Sequence, residues 1–136
     1  MLELTDAARI TAGIVLLTVV TIESGGAFLV RVATGKVPAT DFQRGFFRAG
    51  HAHAGVLVIL GLLCVLLTEA TTLGGPVRWV AATGVLVGAV LMPAGFFLSA
   101  LGNGRTRPSG LVVLLVLGAT AVAVGVVTLG VGLLRG

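Results

Sequence analysis

Apolar residues fill four long stretches of this chain, and polar or Gly/Pro-rich segments separate them. The stretches cover residues 8–33, 46–67, 77–100 and 111–134. A helix needs about 20 apolar residues to cross about 30 Å of hydrocarbon, and each stretch meets that length. Because each stretch is continuously apolar, whereas barrel strands alternate, we predict helices. The pattern predicts an all-α protein: a polytopic transmembrane four-helix bundle with a single domain over residues 1–136.

The composition agrees with a membrane environment. Hydrophobic residues make up 57% and charged residues 10% of the chain, and the mean hydropathy is +1.14, whereas soluble domains carry about 25% charged residues. The net charge of +4 comes from basic residues spread over short connections, without a run that interleaves aromatics. We therefore expect a lipid bilayer, and no nucleic acid, as the partner of these basic residues.

The basic residues also predict an orientation, because four spans place both termini on one side of the membrane. The side of the first and third connections carries six of them, Arg31, Lys36, Arg44, Arg48, Arg105 and Arg107; the other side carries Arg9, Arg78 and Arg135. Cytoplasmic loops carry the excess of Lys and Arg. We expect a bacterial inner-membrane protein with both termini outside the cytoplasm.

The first and third stretches share a short pattern. Residues 26–29, Gly-Ala-Phe-Leu, align with residues 95–98, Gly-Phe-Phe-Leu, at an offset of 69 positions. One interpretation is that the bundle consists of two parallel two-helix repeats. The other is a chance match among small apolar residues, and the sequence leaves both open.

Small residues recur at helix-packing intervals. Gly118, Gly125 and Gly132 are seven residues apart in the last stretch, and Gly84 and Gly88 are four apart in the third. Close backbone approach through such residues holds membrane helices together. The small-residue faces also leave room for self-association, so we expect a homo-oligomer or a subunit of a membrane complex. Pro93 in the third stretch predicts a bend or a binding notch.

Four polar residues inside or next to the hydrocarbon are the candidate site residues. Burying an ionisable group in the membrane costs free energy, so such groups usually indicate a functional site. Glu23 lies ten residues before the end of the first stretch, roughly 15 Å below that interface. Arg48, His51 and His53 lie at the start of the second stretch, near the same interface. His51 and His53 are two residues apart, which rotates them by about 200° to nearly opposite helix faces.

Several chemistries fit these residues. His51 or His53 is a candidate axial ligand for haem, and His51, His53 and Glu23 are the candidate ligands of a metal ion, although the rotation opposes their convergence. Glu23 and an imidazole near Arg48 also suit a proton relay or a small-ligand site. The first functional hypothesis is therefore a cofactor, ion or ligand site. The alternatives are an oligomeric proton-coupled transporter or channel, and an accessory subunit of a larger complex.

The segment Arg48–Gly55, which contains R-x-x-H-x-H, resembles the histidine-bearing helix starts of membrane proteins related to the haem-copper oxidases. That resemblance covers one helix of four, without the further ligand histidines of those proteins, and implies haem or metal ligation by His51 and His53. The whole chain, with M-P-A-G-F-F-L-S in its third stretch, is similar to small four-helix bacterial membrane proteins. This similarity implies a fold and a location but no reaction. The size and the lone carboxyl of the first stretch resemble small multidrug transporters, whose second-helix pattern is not matched.

Overall fold

The protein is a bundle of four antiparallel helices. The computed structural model describes residues 3–136, and within them the helices are α1 (Asp6–Ala33), α2 (Asp41–Thr68), α3 (Gly75–Ala100) and α4 (Val113–Arg135), with a single 3₁₀ turn over Gly110–Val112. Each of the four is long and apolar enough to cross a membrane. The predicted all-α transmembrane bundle is confirmed, and the chain is a multi-pass membrane protein.

Helix α2 begins at Asp41, five residues before the predicted span. The Thr40 hydroxyl accepts a hydrogen bond from the backbone N–H of Gln43 at 3.2 Å, and the Gln43 side chain accepts one from the Thr40 backbone at 3.1 Å. This reciprocal capping box starts a helix among polar residues. With 28 residues, α2 is about 42 Å long and extends beyond the hydrocarbon, which the apolar run alone does not reveal.

Helices α3 and α4 meet backbone to backbone. A Cβ added at Gly84 would lie 2.8 Å from Gly125 Cα, and one added at Gly88 would lie 2.9 Å from the Gly118 carbonyl oxygen. The absence of side chains at these positions is therefore what lets the two helices touch. The predicted glycine seam of α4 is confirmed as a packing surface. Beside it the core of the bundle is formed by Leu57, Cys64, Ala81, Val85 and Leu129.

Helix α1 packs far more loosely. Only Ala8 and Val32, near its two ends, are buried. At the offset of 69 positions Val15 and Val56 align with Gly84 and Gly125, and Val56 is 64% exposed, so the glycine contact of α3 and α4 has no counterpart between α1 and α2. The α1–α2 pair therefore packs differently from the α3–α4 pair, and the proposed duplication stays a prediction.

Two different contacts fasten the ends of α1. At the first end, the Thr5 backbone N–H and hydroxyl donate to the Glu69 carboxylate at 3.3 and 3.1 Å, and Arg78 donates to the same carboxylate at 2.6 Å. At the other end, the Phe28 ring packs edge-on against Phe47, with centroids 5.2 Å apart. All six phenylalanines of the chain gather at this second end, in ring pairs formed by Phe28, Phe42, Phe46, Phe47, Phe96 and Phe97.

Gln43 links the start of α2 to the end of α3. Its side chain is buried, and its amide N–H₂ donates to the carbonyl oxygens of Ala100 at 2.9 Å and Gly102 at 2.7 Å. We expect Gln43→Leu to lower the free energy of unfolding by about 1–3 kcal/mol, because two carbonyls lose their donor. Unfolding in mixed SDS and mild detergent measures this loss. Arg44→Gln, one residue on and exposed, is the control, and equal losses for the two variants would contradict the role of Gln43.

Candidate functional site

A cavity of about 490 Å³ separates the middle of α1 from α2 and α3. The buried residues of α1, Ala8 and Val32, lie near its two ends, and the cavity lies beside the part of the helix between them. Most of the lining is aliphatic or aromatic. The lining residues that bear on its chemistry are Thr18 and Thr21 of α1, His51 and Ala54 of α2, and Ala89 and Pro93 of α3.

His51 is the ionisable residue of this cavity. Its ring lies against α1 at a pair of glycines: a Cβ at Gly25 would be 3.5 Å from Nδ1, and one at Gly26 would be 3.3 Å from Cε1. Glycine at these two positions therefore makes room for the imidazole. Within residues 3–136 no protein group hydrogen-bonds this ring, and no buried side-chain polar atom lacks a partner. Its nitrogens are accordingly accessible for a ligand.

Further polar groups in the cavity wall are acceptors. The hydroxyls of Thr18 and Thr21 donate to backbone carbonyls of their own helix at 2.6 Å, which leaves their oxygen lone pairs free. In α3, Pro93 has no N–H, so the Ala89 carbonyl four residues earlier lacks its usual helical donor. The cavity therefore offers an imidazole together with several oxygen acceptors in an otherwise apolar space.

The cavity opens sideways, toward the hydrocarbon. Two of its lining residues, Ile14 of α1 and Val90 of α3, are 59% and 67% exposed, so they mark its rim rather than its floor. Since both lie in the middle of membrane-spanning helices, the opening faces lipid.

His53 lies on another side of α2. Its ring centroid is 4.9 Å from that of Phe96 on α3, and its Nδ1 is 2.8 Å from the Ala49 carbonyl oxygen. Because a carbonyl only accepts, Nδ1 carries the hydrogen. His53 is therefore packed into the contact between α2 and α3, while His51 faces α1, as the rotation of about 200° between them predicts.

Glu23 points away from both histidines. It is exposed and lies two residues from each of Thr21 and Gly25, which line the cavity. That spacing places it about 200° around α1 from them. Among the described residues no group of three or more His, Cys, Asp or Glu side chains is placed to hold a metal ion. One chain therefore does not bring Glu23, His51 and His53 together.

Arg48 lies outside the cavity as well. It is exposed and, with Arg44, lines a separate groove against Leu29 and Val30 near the end of α1. Of the four candidate residues from the sequence, the structure places His51 alone in the cavity. Comparisons of the chain with protein-family models, with curated proteins and with solved structures found no match.

Sequence reasoning missed the cavity itself. A signal for it is present in α1, where Ile14, Thr18, Thr21 and Gly25 follow one another at spacings of four, three and four residues. Such a stripe of small and polar residues faces one direction, and it makes a poor apolar contact with a neighbouring helix. Pro93, for which the sequence predicts a bend or a binding notch, lies in the cavity wall, and binding there stays a prediction.

Proposed function

We propose that this protein binds a lipophilic small molecule in the cavity between α1, α2 and α3, with His51 as its main polar contact. The observation that carries the proposal is the accessible imidazole in an intramembrane cavity of about 490 Å³. Ligand sites are typically apolar cavities of about 300–1,000 Å³ with a few polar groups that fix orientation. This cavity has that size and that kind of lining.

The lining defines the chemistry of the ligand. An apolar body fits the aliphatic walls, and entry from the bilayer requires solubility in hydrocarbon. A hydrogen-bonding group on the ligand pairs with His51, and a hydroxyl of the ligand finds acceptors in Thr18, Thr21 or the Ala89 carbonyl. Membrane quinones and their reduced forms belong to this class.

Haem is the second ligand of this chemistry. Its ring is largely apolar, and one imidazole in an apolar pocket is a sufficient axial ligand. His51 is the residue for this role, because its ring nitrogens are accessible from the cavity. His53 already uses Nδ1 on a backbone carbonyl, and its ring is packed against Phe96.

Replacing His51 tests the proposal. We expect His51→Leu to weaken binding of decylubiquinone or haemin by about 10- to 100-fold, because the ligand loses its polar partner in a medium without water. Equilibrium dialysis of detergent-solubilised protein measures this change. An absorption spectrum of gently extracted protein distinguishes haem, through its Soret band, from a colourless ligand.

His53→Leu is the matched control. It replaces the other imidazole of the same helix segment and should leave the affinity within about twofold, a difference of ~0.4 kcal/mol. A second variant, Ala54→Phe, fills the cavity while it keeps His51, and we expect it to abolish binding. If neither probe binds the parent protein, or if His53→Leu weakens binding as much as His51→Leu, the proposal is wrong.

We also infer that the phenylalanine-rich end of the bundle lies at the cytoplasmic face of a bacterial inner membrane, with both termini outside. The excess of Lys and Arg in the first and third connections supports this orientation. On the opposite side Arg78 is paired with Glu69 at 2.6 Å and Arg9 with Asp6 at 2.7 Å. Two of the three basic residues on that side thus have acidic partners in the same chain, whereas on the first side only Arg44 is paired, with Asp41 at 2.7 Å.

A further inference from the structure

Glu23 is a carboxyl in the middle of a membrane helix and has no partner among the described residues of its own chain. Its side chain is exposed on α1, and within residues 3–136 neither a hydrogen bond nor an ion pair engages it. The hydroxyl of the adjacent Ser24 donates to the Thr21 carbonyl at 2.6 Å. Hydrocarbon offers no hydrogen bonds, so burying such a group there is costly unless another molecule satisfies it.

Arg48 of the same chain does not fill this role. It lies beside Val30 and Leu29, about two turns closer to the membrane surface than Glu23. Side chains lean toward the N-terminus of their own helix, and α1 and α2 are antiparallel. The side chains of Glu23 and Arg48 therefore diverge.

Glu23 occupies the centre of a regular seam on the face of α1 opposite the cavity. The seam consists of residues at alternating spacings of three and four, all of them exposed: Gly13, Leu16, Val20, Glu23, Ala27 and Val30. This is the period at which two helices stay in contact along their length. A single polar residue in such a seam fixes the register and the number of helices.

We propose that this face of α1 binds α1 of a second copy of the chain, with the two Glu23 carboxyls hydrogen-bonded to each other. Copies inserted in one orientation present identical residues at identical depth. A contact between two α1 helices is therefore parallel and twofold. Each neutral carboxyl then donates its O–H to the other's carbonyl oxygen, which satisfies both groups, while Gly13 and Ala27 allow close approach.

This contact is independent of ligand binding, since it uses the face of α1 that points away from the cavity. Cysteine cross-linking locates it, and the single native cysteine, Cys64, is buried and can be replaced by alanine. In the Cys64→Ala background, Val20→Cys lies on the seam. Leu17→Cys is the matched control, because Leu17 is 77% exposed at a similar depth but off the seam.

We expect Val20→Cys to form the disulfide-linked dimer at least about tenfold faster than Leu17→Cys in dilute lipid vesicles, because the seam holds the two thiols at a high effective concentration. Glu23→Leu should weaken the dimer by about 5- to 30-fold, whereas Glu23→Gln, which still donates and accepts, should retain most of it. The fraction of dimer is read by energy transfer between labelled copies as the lipid is diluted.

Equal cross-linking at Leu17 and Val20 would overturn the proposal, and so would a dimer that Glu23→Leu leaves unchanged. Recovery of a stoichiometric partner of different sequence, cross-linked through Val20 in place of a second copy, would also overturn it. Folding is checked separately through ligand binding or helical content, so that a misfolded Glu23→Leu chain is not counted as a lost dimer.

Discussion

Gly84→Leu should produce the largest loss of stability of any single substitution considered for this bundle. A Cβ at Gly84 would lie 2.8 Å from Gly125 Cα and 2.9 Å from the Ala121 carbonyl oxygen. Both are backbone atoms, so no side-chain rotation relieves the clash and α3 must move away from α4. We expect the free energy of unfolding to fall by about 3 kcal/mol or more, the upper part of the range for overpacking.

The measurement is unfolding in mixtures of SDS and mild detergent, followed by the fluorescence of the single tryptophan, Trp79, which lies on α3 itself. Gly55→Leu is the matched control, because nothing lies within 4 Å of a Cβ at Gly55. It tests whether leucine in place of a helical glycine is harmful by itself. Equal destabilisation by the two variants would show that the α3–α4 crossing is not the cause.

Glu69→Leu should release the first end of α1 from the bundle. The Glu69 side chain is 8% exposed, and its carboxylate accepts hydrogen bonds from Arg78 and from both the backbone and the hydroxyl of Thr5. Leucine removes all three bonds and leaves a largely buried guanidinium unpaired. We expect a loss of about 1–3 kcal/mol and faster amide hydrogen exchange in the first turns of α1.

The control for Glu69 is Asp6→Asn. Asp6 pairs with Arg9 on the same side of the membrane, but the two side chains are 86% and 70% exposed, and exposed pairs contribute about 0–1 kcal/mol. This variant should leave hydrogen exchange in α1 nearly unchanged. If Glu69→Leu behaves in the same way, the ion pair does not anchor α1.

The sequence predicts the fold well because hydrocarbon as a solvent imposes long apolar runs on every spanning helix. The glycines at positions 118, 125 and 132 likewise indicate the packing face of α4, since their spacing alone defines one side of a helix. The rotation between His51 and His53 follows from helix geometry. These features depend on residues close together in the chain, which a pattern can resolve.

The site is harder to predict because it depends on the gap that the fold leaves between α1 and its neighbours α2 and α3. Nothing local shows that the middle of α1 stands away from α2 and α3, or that Gly25 and Gly26 accept the His51 ring. For the same reason the sequence suggested that Glu23 approaches the histidines, whereas the structure turns it to the opposite face of α1. Depth along a helix is readable from sequence, but the direction of a side chain requires knowing which neighbour the helix contacts.

The two ends of α1 are held by different kinds of contact: hydrogen bonds to the Glu69 carboxylate at the Thr5 end and packing of aromatic rings at the Phe28 end. Salt weakens contacts between exposed charged groups at the aqueous boundary and has little effect on contacts between aromatic rings. The Glu69 side chain is only 8% exposed, however, so salt screens its contact with Arg78 and Thr5 much less than it screens an exposed pair. Loss of the Glu69 carboxylate, rather than added salt, is therefore what we expect to free the Thr5 end of α1, while the phenylalanine contacts keep the other end in place.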